Sequence, residues 1–226
     1  MNRETLVLVS KEWIEKTIHA SNLEIKWMIL ALYLRKEADY FEMDLHDVYC
    51  YFGVDKDHRG GQQWQSIRSA ITNIEERSQG WVKSEIKENI VKTSFSKEAI
   101  KNLENAQIEV DLHSILKLKL KYSPKVLLRL YQELGQREYC DKNWALSGDG
   151  GIRMYLGVED KYKYWTDFNK RVLTPTFMDI DLNCKKVKVD YQPYNSSMLK
   201  SQAYNLADSK SRQTIIGIRT NIQRLN

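Results

Sequence analysis

Tyr155-Leu-Gly-Val-Glu-Asp-Lys-Tyr-Lys-Tyr-Trp-Thr-Asp-Phe-Asn-Lys-Arg-Val-Leu-Thr-Pro175 is the stretch on which the reading of this chain turns. An apolar helix end runs into Gly157, a polar turn follows, and a second helix begins whose Trp165, Phe168 and Val172 recur at helical spacing on one side. That pattern predicts a helix-turn-helix. The opposite side carries Lys163, Thr166, Asn169 and Lys170, with Arg171 at its margin. A helix with these two faces suits a major groove, although an ordinary amphipathic helix with a solvated face shows the same stripe, because Lys and Arg are exposed by default.

Working outward, the same elements occur earlier in the chain. Tyr-Phe-Gly-Val at 51–54 echoes Tyr-Leu-Gly-Val at 155–158, Leu-Ala-Leu-Tyr at 30–33 echoes Leu-Arg-Leu-Tyr at 128–131, and Trp64 with Ile67 parallels Trp165 with Phe168. One fold used twice accounts for this. In the first copy, Ser21-Asn22-Leu23-Glu24 is a capping-box sequence opening a helix over Leu23 to Lys36. Asp44 caps a second helix stopped by Gly53, and Trp64, Ile67, Ile71 and Ile74 mark a third, closed by Gly80. Trp81 to Ile86 and Asn89 to Phe95 then predict a hairpin. Three short helices bury their apolar faces only when a sheet closes the core, so each copy reads as a winged helix. Leu6 to Val9 and the turn around Trp13 carry too little pattern to assign.

In the second copy, Ser123-Pro124 starts a helix with Ser as cap, and Leu127, Leu130, Tyr131 and Leu134 form its buried face. The wing pairs Lys185 to Tyr191 with Thr214 to Gln223, one face packing inward and the other presenting mostly cations to whatever the groove helix touches. Residues 192–213 between them are too long for a turn, and Met198, Leu199, Ala203 and Leu206 fit a short helix there. Between the copies, Ser96 to Ala106 reads as a helix and Gln107 to Leu112 as a strand. Ile115 to Lys121 reads as a helix fastening one unit to the other, without a Gly- or Pro-rich linker. The expected fold class is therefore α+β, two tandem winged-helix domains at 1–112 and 113–226.

Composition agrees. The 226 residues are 42% apolar, with six Trp and thirteen Tyr, enough for two packed units. Net charge is only +5, but residues 183–226 hold eight Lys and Arg against two Asp, leaving −1 for the rest. That asymmetry suits a polyanion-binding unit joined to a different one. Cys50, Cys140 and Cys184 are far apart and odd in number, which predicts neither a disulfide framework nor a zinc site and fits a cytoplasmic protein. Neither a signal-type segment nor an apolar run of membrane-spanning length is visible. His19, His46, His58 and His113 are scattered, so a nicking enzyme lacks its metal ligands. Asp55-Lys56-Asp57-His58 reads as a solvated turn, and no phosphate-binding glycine loop occurs. These absences predict a non-enzyme without cofactor or metal.

Ile115 to Ser123 with Leu-Leu-Arg-Leu-Tyr-Gln-Glu-Leu at 127–134, Tyr155 to Pro175, and the closing Ile215-Ile-Gly-Ile-Arg219 together resemble the plasmid replication initiators of the Rep_3 type. Residues 1–110 match that family in architecture only. The 192–213 segment is longer than the family's wing, and Gly148-Asp-Gly-Gly151 is an unusual approach to the first helix of the motif. The resemblance implies tandem winged helices that bind repeated origin sequences in double-stranded DNA. The C-terminal unit would read the repeat, while the N-terminal one makes auxiliary DNA contacts and a homodimer surface. It further implies local melting and recruitment of the host initiator ATPase and replicative helicase, with no covalent chemistry. Thr174 and Pro175 would end the groove helix.

On this reading Lys161, Lys163 and Arg171, with Lys185, Lys186, Lys188 and Arg219 of the wing, hold phosphates, and Thr166, Asn169 and Lys170 meet base edges. Two alternatives share the sequence: a winged-helix transcriptional repressor, and a protein-interaction scaffold whose basic face is incidental.

Overall fold

The computed structural model describes residues 5–35, 38–54, 61–195 and 215–225. Strand β1 (Leu6–Val9) leads into α1 (Lys11–Lys16), capped by Ser10, whose Oγ accepts the Trp13 N–H at 3.2 Å. The capping box then forms as its spacing predicts. The Ser21 N–H donates to Glu24 Oε2 at 2.5 Å and the Glu24 N–H to Ser21 Oγ at 3.3 Å, opening α2 (Asn22–Arg35). Ile25, Trp27 to Leu32 and their neighbours are buried on nearly every side of α2, so it runs through the core.

After α2 come β2 (Tyr40–Asp44), α3 (Leu45–Tyr51), α4 (Gln62–Thr72), α5 (Ile74–Arg77), β3 (Val82–Lys87) and β4 (Ile90–Phe95). Asp44 caps α3 through the His46 N–H at 2.7 Å. The predicted third helix breaks at Asn73, but Ile67, Ile71 and Ile74 all reach the core. The β3–β4 hairpin turns through Glu88 and Asn89, both with positive φ, the geometry that matches strand twist. One strand went unforeseen. Residues of β2 pair with β4 in the register Met43↔Val91, giving a sheet of order β2-β4-β3.

The joining segment holds α6 (Lys97–Leu103), β5 (Ile108–Asp111), which pairs with β1, and α7 (Leu112–Lys117), capped by Asp111. Beyond it lie α8 (Ser123–Leu134), β6 (Tyr139–Ala145), α9 (Ile152–Leu156), α10 (Trp165–Phe168), α11 (Thr174–Asn183), β7 (Val187–Asn195) and β8 (Ile215–Arg224). Their sheet has the order β6-β8-β7. Both halves thus run helix, strand, helix, helix, strand, strand, with the last strand central. Even the turns coincide: Gly53 and Gly157 are left-handed at φ +70° and +66°. The next residues, Val54 and Val158, donate to Tyr49 O and Arg153 O, each at 3.0 Å.

Ser123 does not cap α8. Its N–H is already engaged with Leu120 O in the preceding turn, its backbone is the first helical residue, and Tyr122 occupies the cap position without a side-chain bond. The expected helix around Met198, Leu199, Ala203 and Leu206 lies outside the described residues, as do Thr214 and Asp55-Lys56-Asp57-His58. Gln192 to Asn195, assigned to the same insertion, instead extend β7. The two halves share one continuous apolar core. Two buried lysines cross between them: Lys26 Nζ donates to Leu116 O and Leu118 O, and Lys125 Nζ to Ile18 O; within the second half the Asp179 carboxylate accepts the N–H groups of Lys119 and Leu120. Among the described residues no helix is long and apolar enough to cross a membrane.

Candidate nucleic-acid interface

The approach to the motif is set by glycine. Gly148 and Gly150 adopt positive φ, and a Cβ at Gly151 would lie 2.8 Å from the Ser147 carbonyl carbon, so the chain folds back tightly to start α9. This is the physical reason for Gly148-Asp-Gly-Gly151. Tyr155 anchors α9 below through a hydrogen bond from its hydroxyl to Lys125 O at 3.0 Å, and burial raises that phenol well above its usual range. Gly157 ends the helix, Val158 is buried, and Tyr162 lays its ring 6.2 Å from that of Phe168, tying the turn to the next helix.

That next helix does not stop at Thr174-Pro175. Residues 165–183 form one continuous rod in which Asn169–Leu173 make a single π turn between α10 and α11, the Thr174 N–H reaching back five residues to Asn169 O. Proline lacks an N–H and its ring collides with the carbonyl four residues earlier, here Arg171. A wider turn immediately before Pro175 relieves the collision, so the helix bends its hydrogen-bond pattern rather than ending. Phe168, Val172 and Leu173 are fully buried, which fixes the rotation of the rod.

With that rotation set, Thr166, Lys170 and Arg171 are exposed and Asn169 is half-buried on the side toward β7, while Lys163 is exposed just before the helix starts. Lys161 is exposed in the turn before the helix. Arg171 stands 3.8 Å from Asp167, an exposed pair that contributes little. The Asn169 amide is held: Tyr191 of β7 donates its hydroxyl to Asn169 Oδ1 at 2.9 Å and lies 3.0 Å from Thr174 Oγ1. Its ring stacks on Phe177 with centroids 4.4 Å apart. The turn and the first helical turns thus gather six of the ten candidates: Lys161, Lys163, Thr166, Asn169, Lys170 and Arg171.

The other four lie elsewhere. Lys185 and Lys186 follow the far end of the rod, about 21 Å along its axis from Asn169 at 1.5 Å per residue. There they border a cavity of about 360 Å³ with Asp111, His113, Lys117 and Leu182. Lys188 and Arg219 sit on the side of the sheet away from the helices, because Val187, Val189, Ile218 and Ile222 take the inner positions. The expectation of a mostly cationic wing face does not hold. Asp141, Asp190, Asn143 and Asn221 share that outer face with Lys188 and Arg219, and Arg219 Nε donates to Asn143 Oδ1 at 3.2 Å. β6, which the sequence pattern did not reveal, adds Asp141 and Asn143, while Asp190 and Asn221 belong to β7 and β8 themselves.

Two further residues of the candidate interface escaped sequence reading. Tyr191 is one; a Tyr in an inward series after Val187 and Val189 must find a partner for its hydroxyl, and that was the available signal. Arg153 is the other, its guanidinium 5.1 Å over the Phe168 ring, bracing the groove helix from α9.

Residues 152–218, which span the motif, the rod and the wing, match the family model described as initiator Rep protein, WH2. The fold is similar to that of the Pi initiator protein, whose crystal structure was determined in complex with iteron DNA: TM-score 0.65, 13% sequence identity, covering 100% of this chain and 99% of that one. No curated protein sequence matches significantly.

Proposed function

Taking residues 152–218 as an initiator Rep protein WH2 domain, we propose that this chain is a sequence-specific binder of double-stranded DNA that initiates plasmid replication at repeated origin sequences. One observation carries the reading: Thr166 and Lys170 are exposed, with half-buried Asn169 beside them, on the first turns of a helix whose opposite side, Phe168, Val172 and Leu173, is locked in the core. Those N-terminal turns are where a groove helix meets base edges. Lys161, Lys163 and Arg171 surround them as phosphate contacts. The similar fold of an initiator that binds iteron DNA supports the same mode.

In this reading residues 113–226 read the repeat, while residues 1–112 make auxiliary DNA contacts and a homodimer surface. The chain acts by binding and by recruiting the host initiator ATPase and replicative helicase in the cytoplasm, with no bond-making step of its own. The test is competition binding of the full chain to a duplex carrying direct repeats and to a scrambled duplex, at two salt concentrations. Preference for the repeats by about 10³-fold or more supports the proposal. Equal affinity for both duplexes refutes it.

A further inference from the structure

Resting on the base-reading role proposed for α10, we infer that Tyr191 is a positioning residue that sets the polarity of the Asn169 amide, so that one position of the site selects a base offering a hydrogen-bond acceptor in the major groove. Tyr191 reaches Asn169 from the wing strand, not from the helix. Its ring is clamped against Phe177, with an interplanar angle of 23°, so the hydroxyl has little freedom and lies between Asn169 Oδ1 and Thr174 Oγ1. A phenol has one proton. Given to Asn169 Oδ1, that proton leaves the Thr174 hydroxyl to donate to the Tyr191 oxygen. The result is a directed chain, Thr174 to Tyr191 to Asn169.

Both ends of this chain sit on the same π turn, whose closing bond joins Thr174 N–H to Asn169 O. The turn therefore fixes the spacing that the hydroxyl bridges. With Oδ1 engaged, the amide nitrogen, which makes no hydrogen bond among the described residues, is the group left for DNA. It carries two donors and no acceptor. Guanine N7 and O6, adenine N7 and thymine O4 all accept from it, whereas cytosine presents the N4 donor. Donor against donor excludes cytosine. A free Asn amide rotates to offer its oxygen and tolerates all four bases; a Tyr191 proton given to Oδ1 opposes that rotation.

The experiment uses the full chain and a duplex it selects from a randomised pool, followed by a panel with every base at each position. Asn169→Ala identifies the position, as the one where preference relaxes. There the wild type disfavours cytosine by about tenfold. Tyr191→Phe keeps the ring stack but removes the proton, and discrimination against cytosine falls to about twofold. Affinity for the other bases, the salt slope and the urea midpoint stay near wild type, which separates positioning from a merely structural role. Asn169→Asp, an acceptor only, turns the preference from guanine and thymine toward cytosine and adenine, whose N4 and N6 amino groups donate. Thr174→Val leaves the Tyr191 proton in place and retains most of the discrimination. Relaxation by Thr174→Val equal to that of Tyr191→Phe overturns the inference, because the proton then runs the other way. Continued exclusion of cytosine by Tyr191→Phe, or no relaxation anywhere by Asn169→Ala, also overturns it while leaving DNA reading intact. Failure to select any sequence from the pool sinks both.

Discussion

Replacing Lys26 by Met changes how stability depends on pH, and the sign follows from where the ammonium sits. Lys26 lies on α2, only 8% exposed, and donates to Leu116 O at 2.8 Å and Leu118 O at 2.5 Å in the segment joining the halves. Burial lowers its pKa from 10.5 to about 8, against the opposing pull of the Asp179 carboxylate. Below pH 8 the folded and unfolded chains both hold the proton. Between about 8 and 10.5 only the unfolded chain holds it, so the unfolded state binds more protons and stability rises with pH through that window. Each pKa unit corresponds to about 1.4 kcal/mol, so the shift from 10.5 to about 8 sets a ceiling of about 3.5 kcal/mol. The adjoining groove of about 730 Å³, lined by Lys26, Leu116 and Leu118, is open to solvent, and the screening this allows brings the expected gain to about 2 kcal/mol. Met carries no proton and removes this component. At pH 7 the lost hydrogen bonds and the removed buried charge oppose each other, so the variant stays within about 1 kcal/mol of wild type. Urea unfolding of both proteins from pH 7 to 10.5 gives the difference curve, in which other Lys and Tyr residues cancel. A wild-type-minus-variant difference that stays level or falls across the window refutes the reasoning.

Phe168→Ala opens a cavity under the groove helix and removes ring contacts with Tyr162 and Arg153; a loss of about 3–5 kcal/mol is expected in chemical denaturation, and a loss below 1 kcal/mol counts against the helix being anchored there. Gly157→Ala puts a side chain at φ +66°, with open space around it, so strain alone acts and costs about 1 kcal/mol in the same assay. Lys170→Ala reduces the salt slope of DNA binding by about one, whereas Lys186→Ala, at the other end of the rod, leaves that slope unchanged. Equal reductions in both would place the wing base on DNA after all.

The elements whose hydrogen bonds close within a few residues were legible from the chain. The Ser21–Glu24 box, the Asp44 cap and the paired Gly53 and Gly157 stops form as their spacing implies, because each needs only three to five consecutive residues to satisfy its own backbone groups. Periodicity likewise identified Phe168 and Val172 as buried and so oriented Thr166 and Lys170 outward. Strands β2 and β6 were missed because their partner lies dozens of residues away, and a short alternating run is defined only by what it pairs with. Ser123 and Pro175 misled because their roles depend on where the helix hydrogen bonds begin and how they run: Tyr122 O already accepts the first one, from Val126 N–H, and a π turn accommodates Pro175.

Which cations converge is likewise a question of fold. Chain order grouped Lys185, Lys186, Lys188 and Arg219 with the groove helix by sign of charge alone. The length of the 165–183 rod carries the first two to its far end, and the pleat of β7 and β8 turns the other two away among Asp141 and Asp190. Six side chains remained together because a buried stripe orients Thr166, Asn169, Lys170 and Arg171, and the Tyr162–Phe168 contact ties the turn bearing Lys161 and Lys163 to the same helix. Their composition could be read from residue order; the company they keep, Tyr191 above all, depends on a strand returning across the helix, and no local rule specifies that return.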